Sequence, residues 1–385
     1  MQQPPGIWVL FITEMWERFS YYGMRALLVL YLIAGTEAVT PAGSANPGFG
    51  WSEEAAYLLY GIYTWAVYLT PILGGLLADR LLGTHRSLVI GGWIIAAGHV
   101  LLALSEWLDN GAASAATLES GAPELLCFIA GLALIVIGTG FFKPCAAVMV
   151  GQLYKAEDPR RDAGFTIFYM GINIGAFVCN FFGAILFNLY GWYAAFIAAG
   201  LGMFIGVFIF WWGTAHYKHA DVIKPVGPTD MPLTRIFSLV LFPAVLFGLI
   251  PLLFDKPLVG STTTDCFLFG CIPVLFFYGR LWYKSPSEEK QPIGAMLAIF
   301  AVVIAFWAVF KQNGSTLNTW ANNYTDREVP TAIQPTASAL KLAEKIDYVK
   351  DSTVPTDHQF RKLDKEKILA YPDYFKNSGT QNRPK

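Results

Sequence analysis

Long apolar runs separated by short polar segments dominate the chain up to about residue 320. A membrane-spanning helix needs about 20 mostly apolar residues. Runs of that length fall at 6–33, 55–77, 87–108, 124–150, 163–187, 191–213, 236–254, 265–283 and 293–318. The pattern predicts nine membrane helices. The pair 236–254 and 265–283 is set apart by being shorter and by lacking embedded ionisable residues. From Asp326 to Lys385 the pattern changes: the segment is polar, carries both charge signs and holds no run long enough to span. Apolar residues recur at helical spacing around Ala337–Val349, which suggests a short helix. The polarity of the segment favours a solvated loop or tail.

The first run breaks the apolar rule. It holds Glu14, Glu17, Arg18 and Arg25 between two stretches as apolar as any in the chain. Each charge at a bilayer centre costs roughly 2.5–3.5 kcal/mol on insertion scales, so such groups must face one another, protein partners or water. At 3.6 residues per turn, positions 14, 17, 18, 21 and 25 fall within an arc of about 100°. Glu14 and Arg18 are then four residues apart on one face, Tyr21 shares that face and Tyr22 sits at its edge. A soluble amphipathic helix would show the same stripe, but its neighbours in this chain are membrane-like. The stripe predicts a helix lining a polar path through a membrane, which implies transport.

Charge placement orients the chain. One set of alternate loops carries Arg80 and Arg86, then Lys155, Arg160 and Arg161, then Lys218, Lys224 and Arg235, then Arg280, Lys284 and Lys290; the opposite set carries Lys256 alone. The excess of Lys and Arg on one side predicts a cytoplasmic N-terminus. The composition agrees with a membrane protein: 55% of the 385 residues are hydrophobic and 14% charged, where soluble domains average about 25% charged. A net charge of −1 argues against a nucleic-acid surface. The five cysteines (Cys127, Cys145, Cys179, Cys266 and Cys271) lie in or beside apolar segments without metal-ligand spacing and read as packing residues. No nucleophile–base pair, phosphate loop or metal cluster stands out, so neither an enzyme nor a cofactor is expected.

Four further motifs carry polar chemistry. Gly74, Gly75, Asp79, Arg80 and Gly83 close the second span and lead into a short cytoplasmic loop. The glycines allow close helix approach, and Asp79 can meet a helix end or an arginine as a conformational latch. Lys143 lies too deep in the fourth span to snorkel and needs an anion, either Glu14, Glu17 or a substrate carboxylate; Pro144 beside it removes a backbone donor and is expected to bend the helix. Gly164, Gly171, Asn173 and Gly175 open the fifth span. Gly171 and Gly175 have small-xxx-small spacing, and Asn173 could bond another helix or a substrate amide. Lys311 ends the last span, where it either snorkels or pairs with an acid of the first span. His99 in the third span reads as a packing histidine. Tyr60, Tyr63 and Tyr68 recur along the second span, and periodicity does not choose which of them face a cavity.

Together these residues are familiar. The run from Glu14 through Glu17, Arg18, Tyr21 and Tyr22 to Gly23 resembles the first-helix motif of the proton-coupled oligopeptide transporter family, within the major facilitator superfamily. The Gly74–Gly83 loop is similar to that family's first signature, the Phe165–Gly175 stretch to its second, and Gly138–Pro144 matches a further motif. The resemblance keeps order and covers almost all of 6–320. It implies an all-α, polytopic membrane protein with the major facilitator fold: a six-helix bundle over 1–215, a linker with two extra helices over 216–290, the first helix of a C-terminal bundle over 291–320 and a polar extracytoplasmic loop or tail over 321–385. It implies proton-driven uptake of di- and tripeptides by alternating access in the plasma (bacterial inner) membrane. Arg18, Arg25 and Lys143 match positions that receive the peptide carboxylate, Asn173 a contact to its amino end and backbone, Tyr22 and Tyr68 lining tyrosines, and Glu14 and Glu17 the acids coupled to protons.

Two departures qualify the match. The family usually has a glutamate where this chain has Lys311, which inverts the charge of a gate partner. The C-terminal bundle is represented by one span, as in a fragment of a longer protein. A non-transporting fragment or sensor, and a relative carrying nitrate or another small anion, are the alternatives.

Overall fold

The structure is a computed structural model that describes residues 2–35, 38, 46–108, 122–155, 157–221, 232–259, 262–310, 317, 329–339, 343–346 and 381–384. Its first unit holds α1 (Pro5–Ile33), α2 (Glu53–Leu77), α3 (Thr84–Leu108), α4 (Pro123–Gln152), α5 (Arg161–Tyr190) and α6 (Trp192–Trp212). Helix α1 packs between α5 and α6, α3 lies against α4 and α6, and α2 against α4. Seven helices among the described residues are long and apolar enough to cross a membrane. Seven of the nine expected spans meet that measure, and the other two are helical without meeting it. Helix α1 has the length, at 29 residues, but its four ionisable side chains set it apart from a purely apolar span. The segment expected at 236–254 is an apolar helix of shorter length, Phe237–Leu253; it passes from a π turn through α-helix to a 3-10 turn.

Glycines decide how closely the bundle packs. A Cβ on Gly91 would lie 2.6 Å from the Gly138 carbonyl, and one on Gly98 would lie 2.7 Å from the Gly131 carbonyl. Helices α3 and α4 thus touch backbone to backbone at two levels separated by two turns. The motif glycines act alike. Gly75 faces Pro144 and Gly140 faces Thr70, whose hydroxyl donates to the Val136 carbonyl at 3.0 Å. Helix α4 runs on past Pro144. The Asp79–Arg80 segment forms a π-helical turn, Ala78–Leu82, which ends at Gly83 with φ of 81°, a backbone conformation that favours glycine.

Loops tie the helix ends together. On the predicted outer side, buried Asn46 accepts from the Trp192 backbone N–H at 2.9 Å, and its carbonyl accepts from the Trp192 indole at 3.2 Å. Trp192 belongs to an aromatic cluster with Tyr31, Phe49, Phe128 and Phe196. On the predicted inner side, Asp221 Oδ1 accepts from the Thr84 hydroxyl and the His85 backbone N–H, both at 3.0 Å, satisfying donors at the start of α3. Tyr154 donates to the Gln3 side chain at 2.8 Å, and Arg160 Nη1 to the Gln2 carbonyl at 2.7 Å.

Arg160 is itself held by Asp158 at 2.7 Å. The Arg160 side chain, and then its backbone N–H, pull the Asp158 carboxyl down to about 2. A carboxyl depressed in the folded chain contributes above its unfolded value, near 4, and loses that contribution as pH falls through about 2. The Asp158–Arg160 clasp on the N-terminal segment should therefore stay closed across pH 5–8. Proteolysis near Gln2 and Gln3 should be independent of pH in that window and rise with Asp158→Asn.

The second unit, residues 225–313, holds α7 (Leu233–Ile236), α8 (Phe242–Leu249), α9 (Thr262–Lys284) and α10 (Ser287–Phe310). Helices α8 and α9 pair closely, with Gly248 facing the Cys266 carbonyl and Gly270 the Ala244 carbonyl. Buried Asp265 fixes the turn between them by accepting from the backbone N–H groups of Leu258 and Val259. The helix expected at Ala337–Val349 is displaced. The described residues show a helix at Gln334–Ala339 and then a strand, Ala343–Ile346, paired antiparallel with Gln381–Pro384. Lys345 and Ile346 thus lie in a ladder rather than a helix.

Candidate functional site

Helix α1 brings its ionisable residues into the bundle interior. Glu17 is 1% exposed, Glu14 and Arg25 5%, and Arg18 6%, so none is solvated at the surface. Arg18 Nε lies 2.9 Å from Glu14 Oε1 and also contacts Glu17 Oε2. One guanidinium therefore serves two buried carboxylates. The i,i+4 spacing supplies the first contact and the adjacent residue the second.

The other two cations rest on tyrosines of α2. Arg25 Nε donates to the Tyr60 hydroxyl at 2.5 Å, with its guanidinium 5.5 Å from the Tyr60 ring centre. Lys143 Nζ, from α4, sits 3.8 Å from the centre of the Tyr68 ring. Arg18 also lies 5.5 Å from the Tyr21 ring. Ring faces attract cations, so these contacts hold the two positive charges against α2. The hydroxyls of Tyr21 and Tyr63 and Glu14 Oε2 are buried without a hydrogen-bond partner among the described residues.

The structure separates the three tyrosines that periodicity left equivalent: Tyr60 and Tyr63 are buried, while Tyr68 is 42% exposed. Tyr22 is half-buried, its ring edge-on to Tyr21 at 5.2 Å. Asn173 lies on the exposed face of α5 and donates back to the Tyr169 carbonyl at 2.9 Å. It lines an open depression of about 540 Å³ with Thr166, Tyr169, Met170, Ile174 and Phe177. Lys311 lies outside the described residues. Among the described residues no group of three or more His, Cys, Asp or Glu side chains could hold a metal, and the five cysteines are free thiols. Sequence reasoning missed the Ser20–His99 contact, in which Ser20 Oγ lies 2.7 Å from His99 Nε2, both residues fully buried. Ser20 continues the Thr13 and Glu17 side of α1, and that periodicity was the signal for it.

Seven helices long and apolar enough to cross a membrane, beside a helix that buries four charged side chains, make this a multi-pass membrane protein. The family follows from comparison with known proteins. The profile of the POT family matches residues 85–340. The peptide transporter YePEPT of Yersinia enterocolitica is 33% identical over 350 residues, covering 86% of this chain and 63% of that protein. A di-/tripeptide transporter of Lactococcus lactis is 34% identical over 328 residues, covering 83% of this chain and 61% of that protein. A crystal structure of the peptide transporter POT in complex with sulfate superposes with a TM-score of 0.64 at 31% identity, covering 84% of this chain and 62% of that one. The chain belongs to the POT family and has the fold of its transporters in the major facilitator superfamily. It spans about three fifths of the length of these relatives.

Proposed function

We propose that this chain forms the carboxylate-binding and proton-coupling half of a symporter that carries di- and tripeptides by alternating access. The observation that carries this reading is the Glu14–Arg18–Glu17 cluster buried within a membrane helix. In this reading Arg18, Arg25 and Lys143 receive the peptide carboxylate, Tyr22 and Tyr68 line the path and Asn173 meets the peptide amide or amino end. Glu14 and Glu17 carry the proton. Protonating Glu17 removes one of the two negative charges that hold Arg18, which frees the guanidinium for a carboxylate. Lys311 would serve as the outer gate partner. The N-terminus is cytoplasmic, by the distribution of Lys and Arg, and the membrane is the plasma (bacterial inner) membrane. Residues 1–215 act as the six-helix bundle, 216–290 as linker and extra helices, 291–320 as the first helix of a second bundle and 321–385 as an extracytoplasmic loop. Relatives described as peptide and di-/tripeptide transporters support the substrate class.

A small inorganic anion is the second reading, which three cations on α1 and α4 (Arg18, Arg25 and Lys143) also suit. Labelled dialanine uptake into proteoliposomes under an inward proton gradient separates the two. Uptake should be lost in Glu17→Gln, while exchange of dialanine down its own gradient persists. Gradient-driven accumulation that survives Glu17→Gln would remove that residue from coupling. Competition by nitrate with no dialanine uptake would favour the anion.

A further inference from the structure

Helix α1 lies in a trough with unusually smooth walls. On the α5 side, a Cβ on Gly171 would stand 2.7 Å from the Phe11 carbonyl, and one on Gly175 would stand 3.1 Å from Arg18 Cβ. On the α6 side, Gly202 meets Phe19 and Trp16, and Gly206 meets Trp16 and the Thr13 carbonyl. Helices normally fix one another's rotation by interlocking ridges of side chains. Here both walls present glycine to α1, so at these levels interlocking comes from the α1 rings, as where Phe19 packs edge-on to Phe182. Besides the Tyr31 ring cluster at the other end of the helix, two buried side-chain bonds help to fix it. Arg25 bonds Tyr60 of α2, and Ser20 bonds His99 of α3.

The two bonds differ in kind. Arg25 belongs to the proposed anion site, so a bound carboxylate competes with Tyr60 for it. Ser20 and His99 are both 0% exposed, and neither carries a charge that a bound carboxylate would draw away. Ser20 follows Glu17 by three residues, on nearly the same side of the helix. Any rotation of α1 that breaks the Ser20–His99 bond must also swing Glu17 away from its place. Gly200 of α6 gives His99 its room, with a would-be Cβ 3.1 Å from His99 Cβ.

We propose that the Ser20–His99 hydrogen bond is a permanent bolt that sets the rotation of α1, making His99 a positioning residue for Glu17 and Arg18. When a ligand draws Arg25 off Tyr60, α1 pivots about this bolt rather than turning freely. The inference rests on the reading of Glu17 as a proton carrier. The charged groups acting on Glu17 are Arg18 and Glu14 on its own helix and Lys143 on α4, and it is their geometry that the bolt sets.

The test is an infrared titration of the protonated carboxyl band of the full 385-residue chain in lipid, with the band assigned by Glu17→Gln. Ser20→Ala and His99→Leu should each move the Glu17 midpoint by about half to one pH unit, the scale of one neutral hydrogen bond. His99→Gln, which still reaches Ser20, should restore the native midpoint, and the double variant Ser20→Ala/His99→Leu should move it no further than either alone. An unchanged midpoint in well-folded Ser20→Ala would overturn the proposal. So would His99→Gln behaving like His99→Leu. If His99→Leu does not fold, Ser20→Ala and His99→Gln decide the matter. Dialanine takes no part in the titration, so a failure of peptide uptake and a failure of the bolt are read separately.

Discussion

Replacing Arg18 with leucine should cost more stability than any other single change to the charged cluster. Glu14 and Glu17 would be left buried without their shared counter-charge. Removing one partner of a buried ion pair typically costs about 3–5 kcal/mol. Thermal unfolding of the detergent-solubilised chain should show a large drop in midpoint for Arg18→Leu. Adding Glu14→Gln and Glu17→Gln to the same background should recover most of the loss, because the uncompensated charges disappear together. Arg18→Lys should fall between, since an ammonium keeps the charge but not the position of the Nε that contacts both carboxylates. A midpoint unchanged in Arg18→Leu would mean that water or lipid headgroups already solvate the two acids, contrary to their burial.

The second large effect is expected at a position without charge. Gly98→Leu should force α3 and α4 apart, because the neighbouring atoms are the Gly131 carbonyl and the Ile135 backbone nitrogen, neither of which can swing away. Overpacking that side chains can absorb costs roughly 1–3 kcal/mol, and a backbone contact should lie at or above the upper end. Gly61→Leu is the matched control: a Cβ there meets nothing within 4 Å. Equal melting temperatures for the two variants would show that α3 and α4 have slack that the packing does not suggest.

The spans were legible because the bilayer imposes a length and a composition that a sequence cannot hide. The polar stripe of α1 was legible for the same reason, since charge inside an apolar run is expensive wherever the helix points. Gly171 and Gly175 were legible from their spacing. The α3–α4 contact had an equally plain signal, glycines two turns apart in both helices (Gly91 with Gly98, Gly131 with Gly138), but it appears only when two spans are compared. Asn46, Asp221 and Arg160 were not legible. Each caps or clasps a partner distant in sequence, and nothing local to a loop residue tells which helix end it will meet. The hydrogen bond from Arg25 to Tyr60 was likewise closed to periodicity, because it depends on where α1 stands against α2. The short strand pair near the C-terminus joins residues far apart in sequence, a pairing that helical spacing could not suggest.

The backbone beneath Lys143 is clamped from two sides, by Gly75 against Pro144 and by Gly91 against Gly138. Lys143 is then a swinging arm on a fixed post. Its side-chain torsions turn on a timescale far shorter than that of a moving helix. The range of the arm is set by the length of a lysine side chain, so on the proposed reading of Lys143 as a carboxylate-binding cation, recognition should respond to one methylene more or less in the cation, and hardly at all to the fluidity of the surrounding lipid.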